Sequence, residues 1–119
     1  MEDKSNNPIV DRSFALALEI VKFSIELRSQ SFYHLSSQVF KSGTSIGANI
    51  REAQGAESKA DFIHKMKIAF KESEELDYWL ELTRASVGLP NPNPRIGSLL
   101  LEIRKLLSSI ISSLSLIHI

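Results

Sequence analysis

Between Asp11 and Arg28 apolar residues recur on two sides of a single helical period. Phe14, Leu18, Val21 and Ile25 follow one another at spacings of four, three and four, and Leu16, Ile20, Phe23 and Leu27 repeat that spacing on nearly the opposite side. Each set makes one stripe along an α-helix of about residues 11–28. Only Glu19, Lys22 and Glu26 remain as a polar strip. Residues 1–9 carry no periodicity and read as a frayed arm, with Asp11 as the cap.

A second helix is predicted over about 34–56, with Leu35, Val39, Ile46, Ile50 and Ala53 facing inward. Gly43 and Gly47 stand four apart beside that stripe. Each costs roughly 0.5–1 kcal/mol relative to alanine inside a helix. Close approach of a neighbouring backbone, eased by Ser42, Ser45 and Ala48, is the expected compensation. Gly55 ends this helix, and Ser58 followed three places later by Asp61 reads as a capping box for the next. The corner is short enough to force a helical hairpin.

The third helix, about 59–87, places Phe62, Met66, Ala69, Leu76 and Leu80 on one stripe and Ile68, Trp79 and Leu82 well away from it. Gly88 stops it, and the proline-rich stretch to Pro94 cannot continue it. Asn93 and Pro94 suit the cap and first position of a fourth helix, about 94–116. Its inward stripe is Ile96, Leu99, Ile103, Leu106, Leu107, Ile110 and Leu114. No strand alternation, internal repeat or linker interrupts the pattern. The prediction is one domain spanning 1–119, an all-α, antiparallel up-down-up-down four-helix bundle.

The surplus stripes change the picture. Leu16, Ile20, Phe23 and Leu27 are predicted to lie outside the core of one copy. Leaving four such side chains wet forgoes roughly 6–12 kcal/mol, comparable to the stability of a small domain at about 5–15 kcal/mol. A homo-oligomer is therefore expected, with these four residues and Ile68, Trp79 and Leu82 at its interface.

Composition narrows the chemistry. Fourteen basic residues balance fourteen acidic ones, so polyanion binding requires a local patch. With no cysteine, disulfides, thiolate zinc sites, iron–sulfur clusters and cysteine nucleophiles are excluded. The polar start, MEDKSNNP, lacks an apolar signal region, and charges at Glu102, Arg104 and Lys105 interrupt the one long apolar segment. The expectation is a cytoplasmic protein with no membrane span.

In order along the chain, Ser37-Gln38, Ser45-Ile46-Gly47-Ala48-Asn49-Ile50 with Glu52-Ala53, Ser58-Lys59, Asp61-Phe62, Ile68-Ala69 and the run from Glu72 to Leu82 form a specific signature. With it, residues 11 to 115 resemble the four-helix-bundle proteins encoded by intervening sequences in bacterial 23S rRNA genes. The resemblance implies a ring-forming bundle, commonly a pentamer, that associates with nucleic acid, above all RNA, and catalyses no reaction. A related branch is the accessory variability protein of diversity-generating retroelements, a basic pentameric barrel; this chain differs from it in being electrically neutral.

Candidate nucleic-acid-binding residues are Lys41, Arg51, Lys59, Lys67, Lys71, Arg104 and Lys105, on outward faces that a ring would repeat as a track for phosphates. The competing interpretation is a solvated face with pairs such as Lys71–Glu75. Asn49, one turn after Ser45, is either a ligand contact or a buried amide bonded to a neighbouring helix. Asp61 and His64 have half of a carboxylate–histidine metal spacing, without the second motif or further inward carboxylates, so no metal and no cofactor are expected. Glu72, Glu74 and Glu75 spread around their helix and do not converge as an acid–base pair. Trp79 with Tyr78 suits either base stacking or a subunit interface. The chain is expected to be a non-enzymatic oligomer associating with RNA or a ribonucleoprotein. The alternative is a structural protein–protein module without nucleic acid.

Overall fold

The computed structural model describes residues 7–117, whose helices are α1 (Pro8–Ser29), α2 (Tyr33–Ala53), α3 (Lys59–Ala85) and α4 (Pro94–Ile117). No strand occurs among the described residues. Residues 1–6 of the expected arm and the last two residues of the chain lie outside them.

Local chemistry sets the helix ends. α1 starts at Pro8, three residues before the expected cap, because proline's fixed φ suits the first helical position. Asp11 instead sits in the first turn, its N–H donating to the Asn7 carbonyl at 3.0 Å and its carboxylate near the positive end of the helix dipole. Ile9, assigned to the arm by periodicity, is buried. At the other end of α1 the Ser31 N–H donates to the Arg28 carbonyl and the Phe32 N–H to the Leu27 carbonyl, both at 2.9 Å. This is the paired closure of a Schellman turn, with Ser31 in the left-handed region at φ 69°.

At the start of α3 the Ser58 hydroxyl accepts from the Asp61 N–H at 3.0 Å. The Asp61 carboxylate accepts from the Glu57 N–H at 3.3 Å, one residue ahead of the reciprocal capping-box bond. Asn93 Oδ1 accepts from the Arg95 N–H at 2.9 Å, with Pro94 opening α4. Gly88, at φ 92°, turns the chain out of α3.

Each helix packs on two others: α1 on α2 and α4, α3 on α2 and α4, with no close approach across either diagonal. Along α1 and α2 the Ser13 carbonyl faces Gly47, whereas the Ser24 carbonyl accepts from the Ser36 hydroxyl at 2.8 Å. Along α1 and α4, Arg12 pairs with Glu102 and Glu19 with Arg95. Along α3 and α4, Asp77 pairs with Arg104 and Arg84 reaches Gly97. In all three pairs one number rises as the other falls. Neighbouring helices are therefore antiparallel, and the order is up, down, up, down.

The core corrects the two stripes of α1. Leu16, Ile20 and Leu27 are 0% exposed and Phe23 only 3%, so these four residues form the monomer's interior and not an oligomer interface. The stripe left outside is the other one: Phe14 is 51% exposed, Leu18 50% and Ile25 63%. Small residues decide which side turns inward. Ser13 and Ser24 flank the Leu16 stripe and let α1 settle against α2, where Gly43 accommodates Ile20. A Cβ on Gly43 would lie 2.7 Å from both Ile20 γ-carbons, and one on Gly47 would lie 3.3 Å from the Ser13 carbonyl oxygen.

In α3, Ile63 takes the buried position read for Phe62, which packs half-buried at the edge, and Ser73 and Thr83 complete the inward face. Asn49 does not bridge to another helix. Its amide donates to the Ser45 carbonyl of its own helix at 2.9 Å, because four residues is the natural reach of a side-chain bond back along α2.

Candidate nucleic-acid interface

Lys67 and Lys71 stand four apart on α3, so they project from the same side of the helix, towards α4. Opposite them α4 presents Ser108 and Ser112 in place of long side chains. The space left between the helices is a groove of about 540 Å³, lined by both lysines, Phe70, Glu74, the two serines and Ile111. The described residues hold no ion pair to Lys67 or Lys71, and the expected Lys71–Glu75 pair is not formed.

Arg104 lies on the same α3–α4 seam, where Phe70 also lines the groove. Its guanidinium carbon sits 5.5 Å from the Phe70 ring centroid, and Nη1 pairs with Asp77 at 3.5 Å. Nε is buried without a partner. Arg104 is thus a half-buried, engaged side chain and not the outward one its helical position suggested. Phe70 draws it in by a cation–π contact, and Asp77 holds it there. Phe70, four residues after Met66, lies at the edge of the inward stripe of α3 and packs half-buried against the core; the helical spacing from Met66 was the signal that could have found it.

The remaining basic candidates divide by face. Lys105 is exposed on α4 beside Arg104, and Lys59 is exposed at the start of α3. Lys41 and Arg51 are exposed on α2, which does not meet α4. Arg51 lies 5.4 Å over the Phe14 ring, on the seam between α1 and α2. The fold therefore gathers Lys67, Lys71, Arg104 and Lys105 along α3 and α4 and separates them from Lys41 and Arg51.

The other candidates are placed as follows. Ile68 and Trp79 are half-buried, and Leu82 is exposed. Trp79 packs against the core, meets Tyr78 edge-on at 5.2 Å and donates its indole N–H to Glu75 at 3.4 Å. No cluster of three or more histidine and carboxylate side chains suited to a metal occurs among the described residues. No helix among them is long and apolar enough to cross a membrane.

Residues 5–109 match the family profile of the 23S rRNA-intervening sequence protein. The chain belongs to this family. A solved structure from Bacteroides thetaiotaomicron, described as a protein of unknown function from the S23 ribosomal protein family, is 43% identical, with a TM-score of 0.76. The alignment covers 87% of this chain and 97% of that one. No curated protein sequence matches. Neither finding bears on the retroelement branch.

Proposed function

We propose that this member of the 23S rRNA-intervening sequence family is a non-enzymatic cytoplasmic bundle that assembles with copies of itself into a ring, a pentamer as the sequence resemblance implies, and associates with RNA or a ribonucleoprotein. The observation that carries the RNA part is the α3–α4 groove. It sets two lysines that make no ion pair among the described residues beside Glu74, two hydroxyl side chains and the Phe70 ring under Arg104, which together suit a phosphate backbone with a base against the edge of Phe70. A ring repeats the groove around its circumference, so individually modest contacts add through effective concentration. Catalysis has no support in the arrangement, because the α3 carboxylates do not converge.

The test is a titration of labelled single-stranded RNA against the protein at several salt concentrations from about 50 to 200 mM. Affinity falls linearly on a log–log plot, and Lys67→Gln with Lys71→Gln reduces the slope by about 1.4 for each groove the RNA engages, two phosphates at roughly 0.7 each. Binding that is absent or flat with salt at the low end refutes the RNA association. The second reading, a protein–protein module without nucleic acid, is favoured by the neutral net charge and by the exposed stripe on α1. That same negative titration, with the assembly intact, would select it.

A further inference from the structure

The stripe of Phe14, Leu18, Val21 and Ile25 lies opposite the core side of α1 and continues onto α2. Two shallow grooves run end to end along this seam. One, of about 350 Å³, lies between Val21 and Ile25 on α1 and Phe40 on α2, itself 48% exposed. The other, of about 160 Å³, lies between Phe14 and Ala17 on one side and Thr44 and Ala48 on the other. Small residues make their floors, the shape that receives the ridge of another helix. An arginine closes each outer end: Arg28 over Tyr33 at 5.7 Å and Arg51 over Phe14 at 5.4 Å. Among the described residues no acidic side chain lines either groove. An apolar patch of this extent with a basic group at each end calls for a helix bearing apolar knobs and carboxylates.

This chain carries such a helix. Between Lys71 and Arg84, α3 holds five carboxylates and no basic residue; Glu74, Glu75 and Glu81 share its outward side with Tyr78 and Leu82, whereas Asp77 is paired with Arg104 and Glu72 is half-buried. Tyr78 and Leu82 stand exposed among them, with Trp79 half-buried beside Tyr78. We infer that the α1–α2 seam of one copy docks on the outward face of α3 that carries Glu74, Glu75, Tyr78, Glu81 and Leu82 in a second copy. The inference rests on the self-association proposed above and names its two surfaces. Charge excludes the symmetric alternatives. Seam against seam brings arginines together, and α3 against α3 brings carboxylates together. The asymmetric contact sets opposite charges face to face, and a contact of that kind propagates into a ring or a filament.

Two charge-reversed proteins test this by analytical ultracentrifugation at micromolar concentration. One carries Arg28→Glu with Arg51→Glu, the other Glu75→Arg with Glu81→Arg, and retained helical circular dichroism shows that each is folded. Each alone sediments as a monomer, and an equimolar mixture forms species larger than the monomer, because every junction between unlike variants joins opposite charges; a five-membered ring cannot alternate two variants, so the mixture is read by its loss of monomer and not by recovery of the wild-type size. An α3-reversed protein that assembles normally by itself overturns the pairing of faces while leaving self-association standing. A wild-type protein that is monomeric overturns both.

Cross-linking gives a readout independent of those variants, since the chain has no cysteine of its own. Phe40→Cys mixed with Tyr78→Cys yields disulfide-linked heterodimers under mild oxidation. Leu101→Cys, exposed on α4, cross-links to neither. Efficient Phe40→Cys homodimers without the heterodimer would establish seam-to-seam packing and overturn the inference.

Discussion

Replacing Gly43 by alanine sets two effects of known sign against each other. Alanine is favoured over glycine inside a helix by roughly 0.5–1 kcal/mol, so helix propensity alone predicts stabilisation. The added methyl, however, lies 2.7 Å from both γ-carbons of Ile20 and 3.1 Å from its Cβ. Carbon atoms pack best at about 3.5–4.0 Å, so the shortfall is roughly 1 Å. Rotating Ile20 gives no relief, because both branches are in contact and a β-branched residue in a helix has one strongly preferred rotamer. Relief requires α1 and α2 to move apart, which stretches the 2.8 Å bond from the Ser36 hydroxyl to the Ser24 carbonyl. Overpacking of this kind costs about 1–3 kcal/mol, and a weakened buried hydrogen bond adds up to about 1. The net expectation is destabilisation of about 1–2 kcal/mol. Urea unfolding followed by helical circular dichroism, at one fixed protein concentration, measures it. Gly97→Ala is the control, because its methyl meets only the mobile end of Arg84 at 3.4 Å and should stabilise by about 0.5–1 kcal/mol. Ile20→Ala removes both γ-carbons, so the Gly43→Ala/Ile20→Ala protein should be more stable than the sum of the single changes by about 1 kcal/mol or more. If Gly43→Ala stabilises as Gly97→Ala does, the close-packing argument fails.

Two further changes test the helix ends in the same assay. Ser31→Gly relieves a left-handed residue at the α1 turn, and the gain should reach about 0.5–1 kcal/mol after the glycine's greater unfolded-state freedom is counted. No gain would mean that the Ser31 backbone is unstrained. Ser58→Ala deletes the acceptor for the Asp61 N–H and should cost about 1 kcal/mol, whereas Ser58→Asp retains most of the stability.

The starts of α3 and α4 were legible because they are local: Ser58 and Asn93 act through bonds spanning two or three residues, and Pro94 fixes its own φ; the start of α1 at Pro8 was read three residues late. Burial of the α1 stripes was not. Phe14-Leu18-Val21-Ile25 and Leu16-Ile20-Phe23-Leu27 have identical spacing, so periodicity yields both stripes and says nothing of which faces inward. That choice depends on Gly43 and Ser36 of α2, which the fold brings against Ile20 and Ser24. The candidate groove divides in the same way. The Lys67 and Lys71 pairing follows from helical spacing, but the space before them depends on Ser108 and Ser112 of a distant helix. Arg104 was misplaced because Phe70 and Asp77, more than 25 residues away, determine where its guanidinium lies. Net charge is the bluntest of the sequence measures. Fourteen charges of each sign cancel in the sum, yet five carboxylates fall between Lys71 and Arg84 while the grooves along α1 and α2 are lined by none. A neutral total thus conceals an uneven distribution of the two signs along the chain, which only the packing of the helices resolves into faces.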